Sequence, residues 1–115
     1  MIYKIEKNKI IFKKIKLALN LGQMRGLMFY PRSKFNFALI FDRSYEDKIN
    51  SSLHMFFVFF PIDVLFLNSN KEIVDIKFNF RPFRFYIPKE KARYVIELPC
   101  LKKNKQLKIK QKVNW

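Results

Sequence analysis

Apolar residues recur along this chain in short runs broken by lysines and turn-forming residues, the spacing of an all-β domain rather than of amphipathic helices. Residues 2–5 alternate weakly, and residues 10–19 form a longer β-branched run interrupted by Lys13, Lys14 and Lys16. Ala38-Leu39-Ile40-Phe41, Leu53–Phe59 and Ile62–Leu67 are buried-strand candidates, the last two nearly unbroken in apolar character. A strand whose two alternating sets of side chains are both apolar has to be covered on both faces, so these two belong inside a sheet. Asn68-Ser69-Asn70-Lys71 reads as a hairpin turn, because asparagine tolerates the positive φ that tight turns need. Glu72–Ile76 alternates beyond it, and Phe83–Ile87, Arg93–Leu98 and Leu107–Val113 bring the expectation to about eight strands. Helix is expected at two places, a turn capped by Asn20 and running through Leu27, and a short one over Ser44–Lys48. Pro31, Pro61, Pro82, Pro88 and Pro99 fall at expected strand starts or in loops, where a missing N–H is tolerated. The pattern predicts a mainly β fold, a single compact β sandwich or barrel over 1–115 with one or two short helices.

Composition supports a folded core. Half of the 115 residues are hydrophobic and 17% are aromatic, with 14 Phe, which excludes intrinsic disorder, and the length suits one domain. The most apolar stretch, Phe56–Leu67, contains Pro61 and Asp63 and is shorter than the about 20 residues of a membrane span. Met1–Lys7 lacks the apolar run of a signal peptide, and the single cysteine, Cys100, forms no internal disulfide. These features predict a soluble, cytoplasmic protein. With two glycines there is no Gly-rich phosphate loop, and with His54 as the single histidine no multi-histidine metal site exists. No metal or cofactor is expected.

Charge changes the picture most. The formal net charge is +15, well above the roughly 2–8 units of an ordinary small domain. Residues 1–35 carry nine basic and one acidic side chain, residues 36–76 three and six, and residues 77–115 twelve and two. The ends are therefore cationic and the middle is acidic. Such a field attracts polyanions, although a lysine-rich, glycine-poor composition also arises from an AT-rich genome. The candidate nucleic-acid contacts are Lys13, Lys14 and Lys16, then Arg81, Arg84, Lys89 and Lys91, then Lys102, Lys103, Lys105, Lys108 and Lys110. In the second group Phe80, Phe83, Phe85 and Tyr86 interleave with the cations, and aromatic rings can stack on unpaired bases. Strand alternation nonetheless favours Phe83 and Phe85 as core residues.

Four blocks of sequence resemble the DUF192 family (uncharacterised protein family 0127). They are Met24-Arg25-Gly26-Leu27-Met28-Phe29, then Leu39-Ile40-Phe41, then the stretch from His54 to Leu67 containing Pro61-Ile62-Asp63, and finally Ala92-Arg93-Tyr94-Val95-Ile96-Glu97-Leu98-Pro99. The blocks occur in the family's order and span residues 21–113. The resemblance implies a compact, mostly β sandwich or barrel of jelly-roll character, with no established enzymatic activity, cofactor or partner. The chain departs from the family pattern at His54-Met55-Phe56-Phe57, where many members have Trp-Met-Lys-Asn, and at Lys110-Gln111, which replaces a Gly-Asp turn.

The polar residues inside these blocks are Arg25, His54, Asp63, Arg93 and Glu97. Asp63 and Glu97 lie in apolar strands, where an unpaired carboxylate is costly, and Arg25 and Arg93 are available to pair with them. Two functional readings stay open. In the favoured one, a non-catalytic binding module contacts structured RNA or a ribonucleoprotein, including the ribosome, through its cationic ends. In the other, Asp63, Glu97 and His54 act as acids or bases in a small-ligand or enzymatic site, with Arg25 and Arg93 orienting an anion.

Overall fold

The computed structural model describes residues 2–18, 31–47, 53–54, 60–81 and 84–115. Among them the chain forms ten strands: β1 Tyr3–Glu6, β2 Lys9–Phe12, β3 Ile15–Ala18, β4 Ala38–Asp47, β5 Leu53–His54, β6 Ile62–Leu67, β7 Ile73–Phe80, β8 Phe85–Tyr86, β9 Ala92–Pro99 and β10 Lys112–Asn114. Five of them make a central sheet in the order β3, β4, β9, β6, β7. The largely apolar β6 and β9 are interior strands of that sheet, and every residue of β6, Asp63 included, is buried. The lysine-broken β3 is at an edge, paired in parallel with β4.

Alternation along these strands divides the core in two. On one face Ala38, Ile40, Leu65, Leu67, Tyr94, Ile96 and Leu98 pack with Ile2, Tyr3, Ile10, Phe12 and Val113 of the three-stranded sheet β1, β2, β10 and its flanks. On the other, Leu39, Phe41, Val64, Phe66 and Val95 pack with Phe35, Phe37, Phe60 and Phe80. β5 and β8 form a two-stranded pair, and Tyr86 of β8 packs against this second, aromatic cluster.

Several expectations change in detail. The run from residue 10 to 19 is two strands, β2 and β3, separated by a bend at Lys13 and Lys14. β1 and β2 close through a two-residue turn with φ of 49° at Lys7 and 64° at Asn8, the geometry that matches strand twist. Ser44–Asp47 is strand, not helix, because β4 continues past a register shift to pair Asp47 with Ala92. Leu107–Val113 is mostly irregular, preceded by a 3-10 helix at Lys102–Gln106, and only Lys112–Asn114 forms a strand. Phe85 is 57% exposed rather than core, since Tyr86 is the ring that β8 turns inward. The helix expected from Asn20 to Leu27, the stretch after His54 as far as Phe59, and Pro82 and Phe83 lie outside the described residues.

Candidate functional site

The first candidate begins with the N-terminal lysines. After the bend, β3 runs alongside the start of β4, and the Ala38 amide donates to the Lys14 carbonyl at 2.9 Å. A 3-10 turn at Arg32–Lys34 precedes Phe35 and Phe37, whose buried rings meet edge-on at 5.2 Å and anchor that turn to the aromatic cluster. Between these two segments lies an open hollow of about 400 Å3. Among the described residues, Lys13, Lys14, Lys16 and Lys34 line it with Ile15, Asn36 and Phe37, none of them acidic. The Lys16 ammonium stands 4.4 Å from the Phe37 ring centroid. Lys103 approaches from the other end of the chain, donating to the Tyr3 carbonyl at 2.8 Å and sitting 3.9 Å over the Tyr3 ring. Burial, and then the charge of Lys13, pull its pKa below the ordinary lysine value. Lys13 and Lys103, from opposite ends of the chain, therefore feel each other's charge. Lys34, which sequence reasoning did not single out, completes the hollow.

The other basic candidates do not join that hollow. Arg81, Arg84, Lys89 and Lys91 are exposed around β8, and Lys102, Lys105, Lys108 and Lys110 are exposed around the C-terminal 3-10 helix and the turn after it. Lys105 stands 4.0 Å over the Phe78 ring. Lys110 takes a φ of 78°, a left-handed conformation that glycine adopts more readily, and its amide donates to the Ile73 carbonyl.

The nominated carboxylates are held apart. Asp63 shares the face of Leu65 and Leu67, while Glu97 shares the opposite face with Val95, flanked in register by Leu39 and Val64. No acid–base pair can form between them across the sheet.

Among the described residues, Asp63 sits in a hydrogen-bonded cluster of neutral donors and pairs with no arginine. Asn104, fully buried, donates from Nδ2 to Asp63 Oδ2 at 2.7 Å and to the Pro99 carbonyl at 2.9 Å, and its Oδ1 accepts from the Tyr3 hydroxyl at 2.9 Å. The Asn79 amide donates to Asp63 Oδ1 at 2.8 Å, and the Cys100 thiol lies 3.3 Å from the same oxygen. Burial, reinforced by Asp63, pushes the Cys100 thiol up to about 12, so the sulfur stays protonated and is a poor nucleophile. Burial likewise lifts Tyr3 to about 12. These groups tie β1, β6, β7 and the C-terminal 3-10 helix together. Asn104 was invisible within its lysine tract, because nothing in Lys102-Lys103-Asn104-Lys105 marks which side chain turns inward.

Arg93 pairs with Asp42, through Nε to Oδ1 at 2.9 Å and Nη2 to Oδ2 at 3.2 Å, not with Asp63 or Glu97. These two residues flank the Phe41–Val95 and Asp42–Tyr94 register positions of adjacent strands, which brings them within reach. Glu97 instead feels Arg43, which follows Leu39 and Phe41 on one face of β4; burial raises its carboxyl to about 8, opposed by that guanidinium. Arg25 lies outside the described residues, and His54 is placed by its β5 backbone, in register with Phe85. Among the described residues no group of three His, Cys, Asp or Glu could hold a metal, and no helix is long and apolar enough to cross a membrane.

Comparison with known proteins adds a family. Residues 5–115 match the family DUF192, described as Uncharacterized ACR. A UPF0127 protein of Thermococcus sibiricus is 49% identical over 77 residues, 67% of this chain and 48% of that protein. A UPF0127 protein of Pyrococcus horikoshii is 44% identical over 91 residues, 78% of this chain and 76% of its own length. This chain thus spans about half of the Thermococcus sibiricus relative. Among solved structures, a protein of unknown function from Novosphingobium aromaticivorans has the same fold, with a TM-score of 0.78 and 21% identity over 98% of this chain and 82% of that one.

Proposed function

This chain belongs to the DUF192 family, and from that premise we propose that it is a non-catalytic binding module that docks on structured RNA, free or within a ribonucleoprotein, through its lysine-lined hollow. The observation that carries this reading is the convergence of Lys13, Lys14, Lys16 and Lys34 on one open hollow. Lysines gathered around one hollow concentrate positive charge, and phosphates that bind there release their own counterions. Lysine suits the task because it meets phosphate as a point charge on a flexible stem, without the paired geometry needed to read a base. Lys103, whose charge couples to that of Lys13, adds a fifth cation to the same field. The Asp63 cluster does not favour catalysis, since its carboxylate is occupied by Asn104, Asn79 and Cys100.

Affinity for an RNA hairpin as a function of salt tests the reading. Five phosphates engaged by these five lysines give a log–log slope of about −4.5, a roughly five-hundredfold loss between about 50 and 200 mM salt. The triple substitution Lys13→Gln, Lys14→Gln, Lys34→Gln should make the slope shallower by about 2.7. Absence of binding at the lower salt, or an unchanged slope in the variant, overturns the proposal.

A further inference from the structure

The segment around β8 carries a second feature, distinct from the hollow and at the other edge of the central sheet. Three contacts fix its backbone. The Tyr86 hydroxyl donates to Asp75 Oδ2 at 2.6 Å, the Lys89 amide donates to the same oxygen at 2.9 Å, and the Tyr86 ring packs 5.6 Å from Phe66 and 6.3 Å from Phe80. Asp75 is itself buried and accepts from the Ile76 amide as well. With Tyr86 turned inward, alternation sends its neighbours outward: Phe85 is 57% and Ile87 42% exposed. Four exposed cations, Arg81, Arg84, Lys89 and Lys91, flank this apolar pair in sequence, and Glu90 is the one acidic residue between 81 and 91.

An aromatic ring held outward on an anchored strand, among cations, is the combination that binds single-stranded nucleic acid. The ring supplies a face on which an unpaired base stacks, and the cations track the adjoining phosphates. We propose that Phe85 is a base-stacking platform, with Ile87 widening its apolar surface, and that the ligand of this protein contains unpaired nucleotides. The inference rests on the nucleic-acid reading above and adds to it that the bound nucleic acid carries exposed, unpaired bases. Charge decides against an apolar or basic protein segment as the occupant, because four exposed cations flank the patch in sequence.

The experiment compares the parent chain with Phe85→Leu and Phe85→Trp, checking each by thermal melting. The probes are oligo(U) and oligo(dT) of about 12 nucleotides, within the usual single-strand site size, and an RNA duplex of equal length. Leucine keeps an apolar side chain but removes the stacking face. Phe85→Leu should weaken oligo(U) and oligo(dT) binding by about tenfold, leave the duplex unaffected and keep the parent salt slope, while Phe85→Trp holds the parent affinity. Equal single-strand affinity in parent and Phe85→Leu, or an equal loss on single strands and duplex, overturns the stacking role. Duplex binding by a parent chain that ignores both single strands also removes this inference and leaves the RNA-docking reading standing. Failure of the parent to bind any of the three probes at about 50 mM salt removes both. A parent that sediments as a dimer and a Phe85→Leu variant that sediments as a monomer would assign the patch to a second copy of the chain, and would equally overturn the proposal.

Discussion

Glu97 shows how a single side chain acquires properties that its residue type does not confer. It lies on an interior strand between Leu39 and Val64, facing an aromatic core cluster, and burial there outweighs the nearby Arg43 charge in setting its proton affinity. Its folded pKa of about 8 is above the value of 4.5 expected in the unfolded chain, so between those limits the folded state keeps a proton that the unfolded state releases. Stability therefore falls as pH rises from 4.5 to 8, by at most about 1.4 kcal/mol per pH unit, and levels off above that range. Glu97→Gln preserves the shape and cannot ionise. It should match the parent near pH 4.5, exceed it increasingly up to about pH 8 and keep a constant margin above that, as measured by urea unfolding. Parallel pH profiles for the two proteins would show that Glu97 does not titrate in this range.

The element that best connects backbone to chemistry is the bulge near the end of β7. Ile62 pairs with Phe80 and Val64 with Lys77, so Phe78 and Asn79 together oppose Asp63 alone. The extra residue is absorbed at Asn79, whose φ of 52° re-aims its amide onto the Asp63 carboxylate. Asparagine tolerates this left-handed conformation and glycine adopts it freely, whereas a β-branched residue does not. Asn79→Gly should be close to neutral, while Asn79→Val should cost about 1–2 kcal/mol, seen as a lower urea midpoint. Equal midpoints for the two variants would mean that the bulge does not constrain the chain as described.

At the scale of the whole molecule, the charge is both gathered and spread. Lys13 and Lys103, from opposite ends of the chain, feel each other's charge, yet Lys9 and Lys112 oppose each other in register on the three-stranded sheet, and Lys105, Lys108 and Lys110 are exposed elsewhere. A net +15 with two intramolecular ion pairs among the described residues, Lys4–Glu6 and Arg93–Asp42, leaves repulsion that folding has to overcome. Salt screens exposed charges over about 10 Å at 0.1 M, so the melting temperature should rise as salt increases from about 10 to 150 mM. A melting temperature that is flat or falling over that interval would show that self-repulsion is not a significant term.

Sequence by itself determined the strand-rich character, the interior position of Ile62–Leu67, the strand at Arg93–Leu98, the Asn68–Lys71 turn and the family resemblance. These follow from alternation, apolar continuity and turn composition, which act over a few neighbouring residues. The positive φ of that turn nonetheless falls on Lys71, while Asn68 accepts the Asn70 and Glu72 amides through its side chain. Sequence also located the charge at the two ends. It did not show that Lys13 and Lys34 line one hollow or that Lys103 feels the charge of Lys13, because proximity between segments depends on pairing register and on which turn closes where. Nor could alternation say that Asp63 and Glu97 lie on opposite faces, since a one-residue change of register exchanges the faces of a strand. The same ambiguity explains Phe85 and Tyr86. Both are aromatic on one short strand, and it is the buried Asp75 beneath β8 that decides which ring turns inward. Asn104 was legible only in three dimensions, where the Asp63 carboxylate, the Pro99 carbonyl and the Tyr3 hydroxyl meet its side chain.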